Sequence, residues 1–356
     1  MFEITIDNAE HFLRSRNWIG VGPVRIETLG GGVSNLVLRV ETSTDRFVLK
    51  QSRPQLRTRD AWFSDLDRIY REQEVMQALI DVLPPLTVPR VLFVDRENFV
   101  FAMSHAPLTP NPSPPRGEGG MAPATVWKES LLAGDIDLAM GARAGRVLGM
   151  MHEASVRDRA KFEAFRERTA FVQLRVDPFY RRVQERRPDV AAALQPLIDS
   201  MMTRSEALCH GDYTPKNMLV HDQGFMLVDY ETAHFGDPAM DLGLFLAHLL
   251  LKAVRRPELY TNYFELIHAF WSGYLNEVRF RPIEELQRRG VAHWGACLLA
   301  RIDGTSPVDY LPEEPKRELV RRLARTILLD GIDRIADVFS RCESELGTLE
   351  PIQKRS

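Results

Sequence analysis

One short island in the second half of the chain constrains the fold more than any other feature. It reads ALCHGDYTPKNMLVHDQGFMLVDYETAHFGDPAMDLG over residues 207–243 and interrupts a long series of helical patterns. His210-Gly211-Asp212 opens a loop that carries Asn217 five residues after Asp212. The apolar run Phe225–Val228 then delivers Asp229, and Glu231 follows on the same side of an extended chain. A carboxylate orients an attacking hydroxyl and accepts its proton, while a neutral amide oxygen binds a divalent cation without adding charge. Taken singly, an Asp or Asn in a loop usually caps a turn. HGD, an Asn five residues on and a strand ending in Asp twelve residues after that Asn form a joint pattern that chance rarely supplies. The pattern predicts Mg²⁺ held by Asn217, Asp229 and Glu231 beside a general base, Asp212, which is what phosphoryl transfer requires.

The first half supplies complementary pieces. Leu29-Gly30-Gly31-Gly32-Val33-Ser34-Asn35 is a glycine turn between two strand-like runs. Hairpin turns are often glycine-rich for steric reasons alone. Here the turn is followed, sixteen residues after Ser34, by Lys50 at the end of the apolar strand FVLK. A lysine closing an apolar strand is costly unless it faces an anion. Backbone N–H groups of Gly30, Gly31, Gly32 and Ser34, together with Lys50, are therefore expected to hold nucleotide phosphates. Glu72, in the helix pattern that follows, is the expected ion-pair partner of Lys50. Glu74 lies about 200° around the helix from Glu72 and should face elsewhere.

Around these motifs the chain divides into a small mixed part and a larger helical one. Strand-like runs occur at Val24–Thr28, Leu36–Glu41, Arg46–Lys50, Arg90–Asp95 and Phe99–Met103, with a helical pattern at Leu66–Leu79. Helical patterns recur at Trp127–Leu132, Ile136–Ala154, Val190–Met202, Leu242–Ala253, Tyr260–Val278, Ile283–Ala300 and Pro315–Ser340. The expected fold is α+β and bilobal: residues 1–104 form an N-lobe, 105–125 a hinge plus insertion, and 126–356 a helical C-lobe with the catalytic loop and acceptor site. The insertion carries six prolines and three glycines in the 19 residues 107–125, so it should not pack. The basic face Arg317, Arg321, Arg322 and Arg325 reads as the wet side of an amphipathic helix.

Composition excludes several alternatives. With 46 basic and 49 acidic residues the net charge is −3, which gives no electrostatic footprint for a nucleic-acid binder. The three cysteines, Cys209, Cys297 and Cys342, lack the paired spacing of a disulfide framework or a thiolate zinc site. No apolar run reaches the ~18 residues of a membrane span, and the N-terminus lacks the pattern of a secretory signal. A cytoplasmic protein with no nucleic-acid or membrane partner is expected.

The motif set resembles the aminoglycoside phosphotransferase and choline kinase superfamily, which has a protein-kinase-like fold. The resemblance implies ATP and Mg²⁺ as cofactors and a small-molecule hydroxyl as acceptor. It makes Asp212 the catalytic carboxylate and Asn217 and Asp229 metal ligands. It makes Lys50 the phosphate lysine, Glu72 its partner, and Asp241 of GDPAMDLG a buried brace for the catalytic loop. It puts the Ser104 carbonyl and the Ala106 amide against adenine. Within the superfamily the chain looks most like methylthioribose kinases, through Lys50-Gln51, Pro54, Trp62, Asp67-Arg68 and the Asp229/Glu231 pair. That likeness implies acceptor contacts from Trp62 and Arg301, although a loop tryptophan is also a common packing anchor and Arg301 has Asp303 and Asp309 as possible partners. The acceptor is then methylthioribose or another sugar or alcohol. An antibiotic phosphotransferase, with an acidic cleft for polycations, is the alternative; a basic pocket around Arg301 would favour an acidic or phosphate-bearing acceptor. A nucleotide-binding pseudokinase is the alternative from another class, and the intact lysine, base and metal-ligand positions speak against it.

Overall fold

The structure, a computed structural model of the chain, describes residues 1–30, 35–54, 64–107, 109–110, 121–122 and 124–347. Gly31, Gly32 and Ser34 of the glycine turn, Trp62 and most of the proline-rich stretch 107–125 lie outside the described residues. The chain divides into two compact units. Unit 1 is Met1–Thr125 with Met218–Ala233, and unit 2 is Val126–Asn217 with His234–Ser356.

Unit 1 begins with helix α1 (Ala9–Ser15), followed by β1 (Arg25–Thr28), β2 (Asn35–Glu41), β3 (Arg46–Ser52), helix α2 (Arg68–Leu79), β4 (Val91–Asp95) and β5 (Val100–Ser104). The strands form one antiparallel sheet in the order β1-β2-β3-β5-β4. Strand alternation assigns each residue its face. Leu36, Leu38 and Val40 of β2 with Phe47 and Leu49 of β3 point one way and form a core with Ile4, Phe12 and Leu13. Lys50 has the opposite parity to Leu49, so the same alternation that fills the core turns the lysine to the other face. α2 packs against β3, β4 and β5 and buries Ile69, Glu72, Val75, Met76 and Leu79. The hairpin Met218–His221/Gly224–Leu227 belongs to this unit and is tied to it by the Leu227 N–H donating to the Thr87 carbonyl at 2.7 Å.

Unit 2 is helical: α3 (Trp127–Ala133), α4 (Leu138–Arg157), α5 (Ala191–Thr203), α6 (Ala239–Arg255), α7 (Tyr260–Glu277), α8 (Ile283–Asp303), α9 (Glu314–Leu329) and α10 (Ile335–Leu346) are its main helices. A two-stranded ribbon, Ala207–Cys209 against His234–Gly236, leads into the loop that starts at His210. The apolar run around Leu242–Leu251 is a helix wrapped on all sides: every residue of α6 but Arg255 is buried. The single helix expected over Pro315–Ser340 is two, α9 and α10. Gly331 between them takes φ +72°, a left-handed conformation that ends helices. The segment Val172–Arg181, with Pro178 inside it, is wound as a π-helix, which periodicity did not reveal. No helix among the described residues is long and apolar enough to cross a membrane.

Candidate active site

In unit 1 the chemistry gathers around Lys50. Its ammonium lies 2.6 Å from Glu72 Oε2 and 2.7 Å from Asp229 Oδ1, and its side chain is nearly fully buried. Burial alone would lower the lysine's pKa, but the Asp229, Glu72 and Glu231 carboxylates outweigh it and hold the ammonium protonated. Glu72 is fully buried. Its pKa is pushed up by that burial and by the charges of Asp229 and Glu231, against the pull of Lys50. Glu74, by contrast, pairs with the exposed Arg96 at 2.8 Å, as the helical phase requires.

Asp229 itself sits at φ +74°, rare for a residue with a side chain, at the start of the turn Tyr230–Thr232. Such backbone strain persists only where the surroundings hold it. Here α2 packs closely on that turn. Glu231 Oε2 accepts from Arg68 Nε at 3.1 Å and from Asn35 Nδ2 at 2.8 Å, both from buried side chains. Ligand oxygens of Glu72, Asp229 and Glu231 all lie within 4.8 Å of one another. Three carboxylates facing one ammonium and one guanidinium leave surplus negative charge on hard oxygen donors, the donor set that suits Mg²⁺ or Ca²⁺. A Cβ at Gly30 would meet no atom within 4 Å, so steric packing does not demand glycine there.

Ser104 and Ala106 follow the end of β5. Ser104 donates its N–H to the Arg90 carbonyl at 2.8 Å, and its Oγ accepts from the Arg90 N–H at 2.9 Å. Ala106 is buried, and its carbonyl lies 2.6 Å from His105 Nδ1.

In unit 2 the loop His210–Asn217 is braced from α6. Asp241, in the first turn of that helix and fully buried, accepts from the His210 N–H at 2.7 Å and the Gly211 N–H at 2.9 Å. Burial would raise its pKa, but the contacts with His152 and with the His210 N–H prevail and hold it below the usual carboxylate value. Gly211 takes φ +76°, so glycine in HGD answers a backbone need. The bend aims Asp212, whose Oδ2 accepts from Arg175 at 2.7 Å, Lys216 at 2.9 Å and Asn217 Nδ2 at 2.8 Å. Three donors compensate the burial of this carboxylate. The Asn217 amide nitrogen is committed to Asp212, so its oxygen is the atom left to accept a donor or a cation.

Arg301 is the remaining described residue of the expected site. Neither Asp303 nor Asp309 pairs with it. Asp303 takes Arg187 and Arg321, at 3.0 and 2.9 Å, and Asp309 lies 4.0 Å from Lys128. The Arg301 guanidinium instead lies 5.5 Å from the Phe179 ring centroid, and burial lowers its pKa.

Several functional-looking residues carried only weak signals in the chain. Arg175 interrupts the apolar sequence Leu174–Val176, which marks a buried cation, but its π-helical phase hid the partner. Lys216 lies four positions beyond Asp212 and pairs with it at 2.9 Å, a contact the motif alone did not single out. Asn35 and Arg68 reach Glu231 from 196 and 163 positions away, a pairing that no local pattern encodes.

A model of the phosphotransferase enzyme family matches residues 25–274. The chain is 26% identical over 281 residues to a methylthioribose kinase of Exiguobacterium sibiricum, covering 70% of this chain and 67% of that one. A methylthioribose kinase of Escherichia coli is 24% identical over 65% of this chain, and the match spans 59% of that protein's length. The crystal structure of a macrolide 2′-phosphotransferase from Brachybacterium faecium superposes with a TM-score of 0.50 at 18% identity, over 92% of this chain and all of that one.

Proposed function

We propose, from the premise that this chain belongs to the phosphotransferase enzyme family, that it moves the γ-phosphoryl group of ATP to a hydroxyl of a small molecule. The acceptor is methylthioribose or another sugar or alcohol. The protein works in the cytoplasm, without a nucleic-acid or membrane partner.

The roles follow from the two clusters. Lys50, kept protonated and positioned by Glu72, takes the phosphate oxygens of the nucleotide. The glycine-turn residues Gly30, Gly31, Gly32 and Ser34 are proposed to serve the same phosphates through their N–H groups, and the Ser104 carbonyl and Ala106 amide to serve the adenine edge. Asn217, Asp229 and Glu231 hold Mg²⁺. A Mg²⁺ bound there would supply neutralisation of the phosphate charge. Asp212 accepts the hydrogen bond of the acceptor hydroxyl and takes its proton as the oxygen attacks. Asn217, Lys216 and Arg175 fix the carboxylate for that step. Arg301 and Trp62 contact the acceptor. Little covalent work falls to the protein; positioning and charge supply the rate.

The observation that carries this reading is the buried Lys50 ammonium, 2.6 Å from Glu72 and 2.7 Å from Asp229. These residues come from strand, helix and turn, far apart in sequence, and they reproduce the phosphate-lysine arrangement. The test is phosphorylation of a metabolite pool with labelled ATP and Mg²⁺, including methylthioribose, simple sugars, amino alcohols and aminoglycosides. A labelled product is expected. ATP bound yet never consumed over the whole pool would contradict transferase activity.

A further inference from the structure

Unit 2 contains a second concentration of charge, and its sign is the opposite of the Lys50 cluster. Lys252, near the end of α6, has 1% of its surface exposed. Its ammonium donates to the His248 carbonyl at 2.9 Å, the one hydrogen bond recorded for its three donors among the described residues. It also lies 5.4 Å from the Tyr310 ring centroid, and Lys128 of α3 approaches the same ring at 5.8 Å. A second ring repeats the arrangement: Arg301 and Arg175 lie 5.5 and 5.6 Å from the Phe179 centroid. Cations rest on aromatic faces where they are weakly hydrated and lack a carboxylate.

Balancing anions are scarce. Among the described residues Lys252 and Arg301 have no carboxylate within 4.0 Å. Lys128 has only the largely exposed Asp309 at 4.0 Å. Glu129, which acts on Lys252, is exposed. Asp212 is the buried counter-charge, and Arg175 and Lys216 already engage it. Arg301 Nε and the Tyr310 hydroxyl are buried with no hydrogen-bond partner among the described residues. His248 is pushed well below its ordinary pKa by burial and then by Arg301, Lys252, Lys216 and Lys128, so the ring stays neutral beside them. Burial, Lys128 and Arg301 together bring Lys252 down to about 7. A fold that gathers cations without partners spends stability on them, and an arriving anion with several oxygens recovers it.

We propose that the phosphoryl acceptor carries an oxyanion, a carboxylate or a phosphate monoester, in addition to the hydroxyl that is phosphorylated, and that Lys252, Arg301 and Lys128 bind it. This rests on the kinase reading and narrows its substrate to hydroxy acids or sugar phosphates. Arg301 shares the Phe179 ring with Arg175, and Arg175 pairs with Asp212 at 2.7 Å, so the anion would be gripped near the carboxylate proposed to receive the hydroxyl proton. Polycationic aminoglycosides are poor candidates for such a surface.

The test pairs acceptors that differ in charge: glycerate with glycerol, gluconate with glucose, and ribose 5-phosphate with ribose, with methylthioribose as a neutral reference. ATP consumption is followed for each. The anionic member of at least one pair should show a kcat/KM tenfold or more above its neutral partner. Lys252→Met and Arg301→Gln should each erase that preference, read as a rise in KM for the anionic member and none for its neutral partner. The carboxylate and phosphate arms separate the two oxyanion sources. Turnover of a neutral compound ahead of every acid, unaltered by Lys252→Met, overturns the inference and leaves the kinase standing. If nothing is turned over, thermal shift with inorganic phosphate and no nucleotide decides. A shift lost in Lys252→Met supports the site. No shift, or one lost in Lys50→Ala but kept in Lys252→Met, overturns it. Failure of the kinase reading shows separately, as no response to a non-hydrolysable ATP analogue.

Discussion

The two charged clusters solve opposite problems. In unit 1 three carboxylates, Glu72, Asp229 and Glu231, face one ammonium and one guanidinium. In unit 2 Arg175, Lys216, Lys252, Arg301 and Lys128 gather where Asp212 is the buried carboxylate. Each surplus has the sign that suits a ligand of the other sign, a divalent cation in the first and an oxyanion in the second. The clusters also differ in how they are held. Lys50 and Glu72 are locked by direct ion pairing between a strand and a helix. Lys252 and Arg301 of unit 2 rest on the aromatic faces of Tyr310 and Phe179, with no carboxylate within 4.0 Å among the described residues. The first arrangement is preorganised for a fixed nucleotide tail. The second is where the proposed acceptor anion would be bound.

The sharpest way to break this division is at Asp212. Asp212→Asn keeps the shape of the loop but removes the proton acceptor, and kcat should fall about 10³–10⁴-fold. Binding of ATP, measured by calorimetry, should stay within twofold of wild type, because Asp212 is not among the residues proposed to hold the nucleotide or its metal. Native turnover in that variant would remove Asp212 from the chemistry. Next in size is Lys50→Ala. It strands Glu72 in a buried site among two other carboxylates, so we expect a stability loss of about 3–5 kcal/mol as well as weakened nucleotide binding. Adding Glu72→Gln should restore much of the stability and none of the binding. Recovery of both would mean that Lys50 serves the fold alone.

A smaller effect tests the brace. Asp241→Ala leaves the His210 and Gly211 N–H groups without their acceptor, at roughly 1–3 kcal/mol for each buried donor. Denaturant melts should show that loss. Activity should fall further than stability alone explains, since the Gly211 bend aims Asp212. Asp241→Ala with native kcat at a temperature well below its Tm would show that the bend holds without the brace.

Much of this was legible in the chain because the decisive groups sit in short local patterns. A lysine closing the apolar strand FVLK called for an anion, which Glu72 and Asp229 supply, and the helical phase separated Glu72 from Glu74. HGD with Asn217 marked the loop that Asp241 braces and in which Asn217 meets Asp212. The reading weakened wherever partners met across long separations or in irregular backbone. Arg68 and Asn35 converge on Glu231 through tertiary packing. Arg175 lies in a π-helix whose period differs from 3.6. The stop between α9 and α10 depends on one left-handed glycine in a pattern that otherwise continues. Lys252 lay in plain view at the end of an apolar helix. Its burial is set by what packs around α6, which one sequence does not show.

Lys252 also gives the smallest predicted effect and the one that bears most directly on the comparison. Its pKa in the folded protein is about 7, against an ordinary value near 10.5. Below pH 7 the ammonium is charged in both folded and unfolded chains, so the folded state bears its full burial cost. As pH rises from 7 toward 10.5 the unfolded chain holds the proton more tightly than the folded one, and that cost declines. Lys252→Met should therefore be more stable than wild type, by about 1–2 kcal/mol at pH 6, with the difference shrinking toward pH 9.5. Paired denaturant titrations at the two pH values measure it. A variant that gains stability while losing its preference for acidic acceptors would show a cation kept at the expense of the fold for a ligand's sake. A variant that loses stability at pH 6 would make Lys252 an ordinary packing residue and return unit 2 to a neutral acceptor.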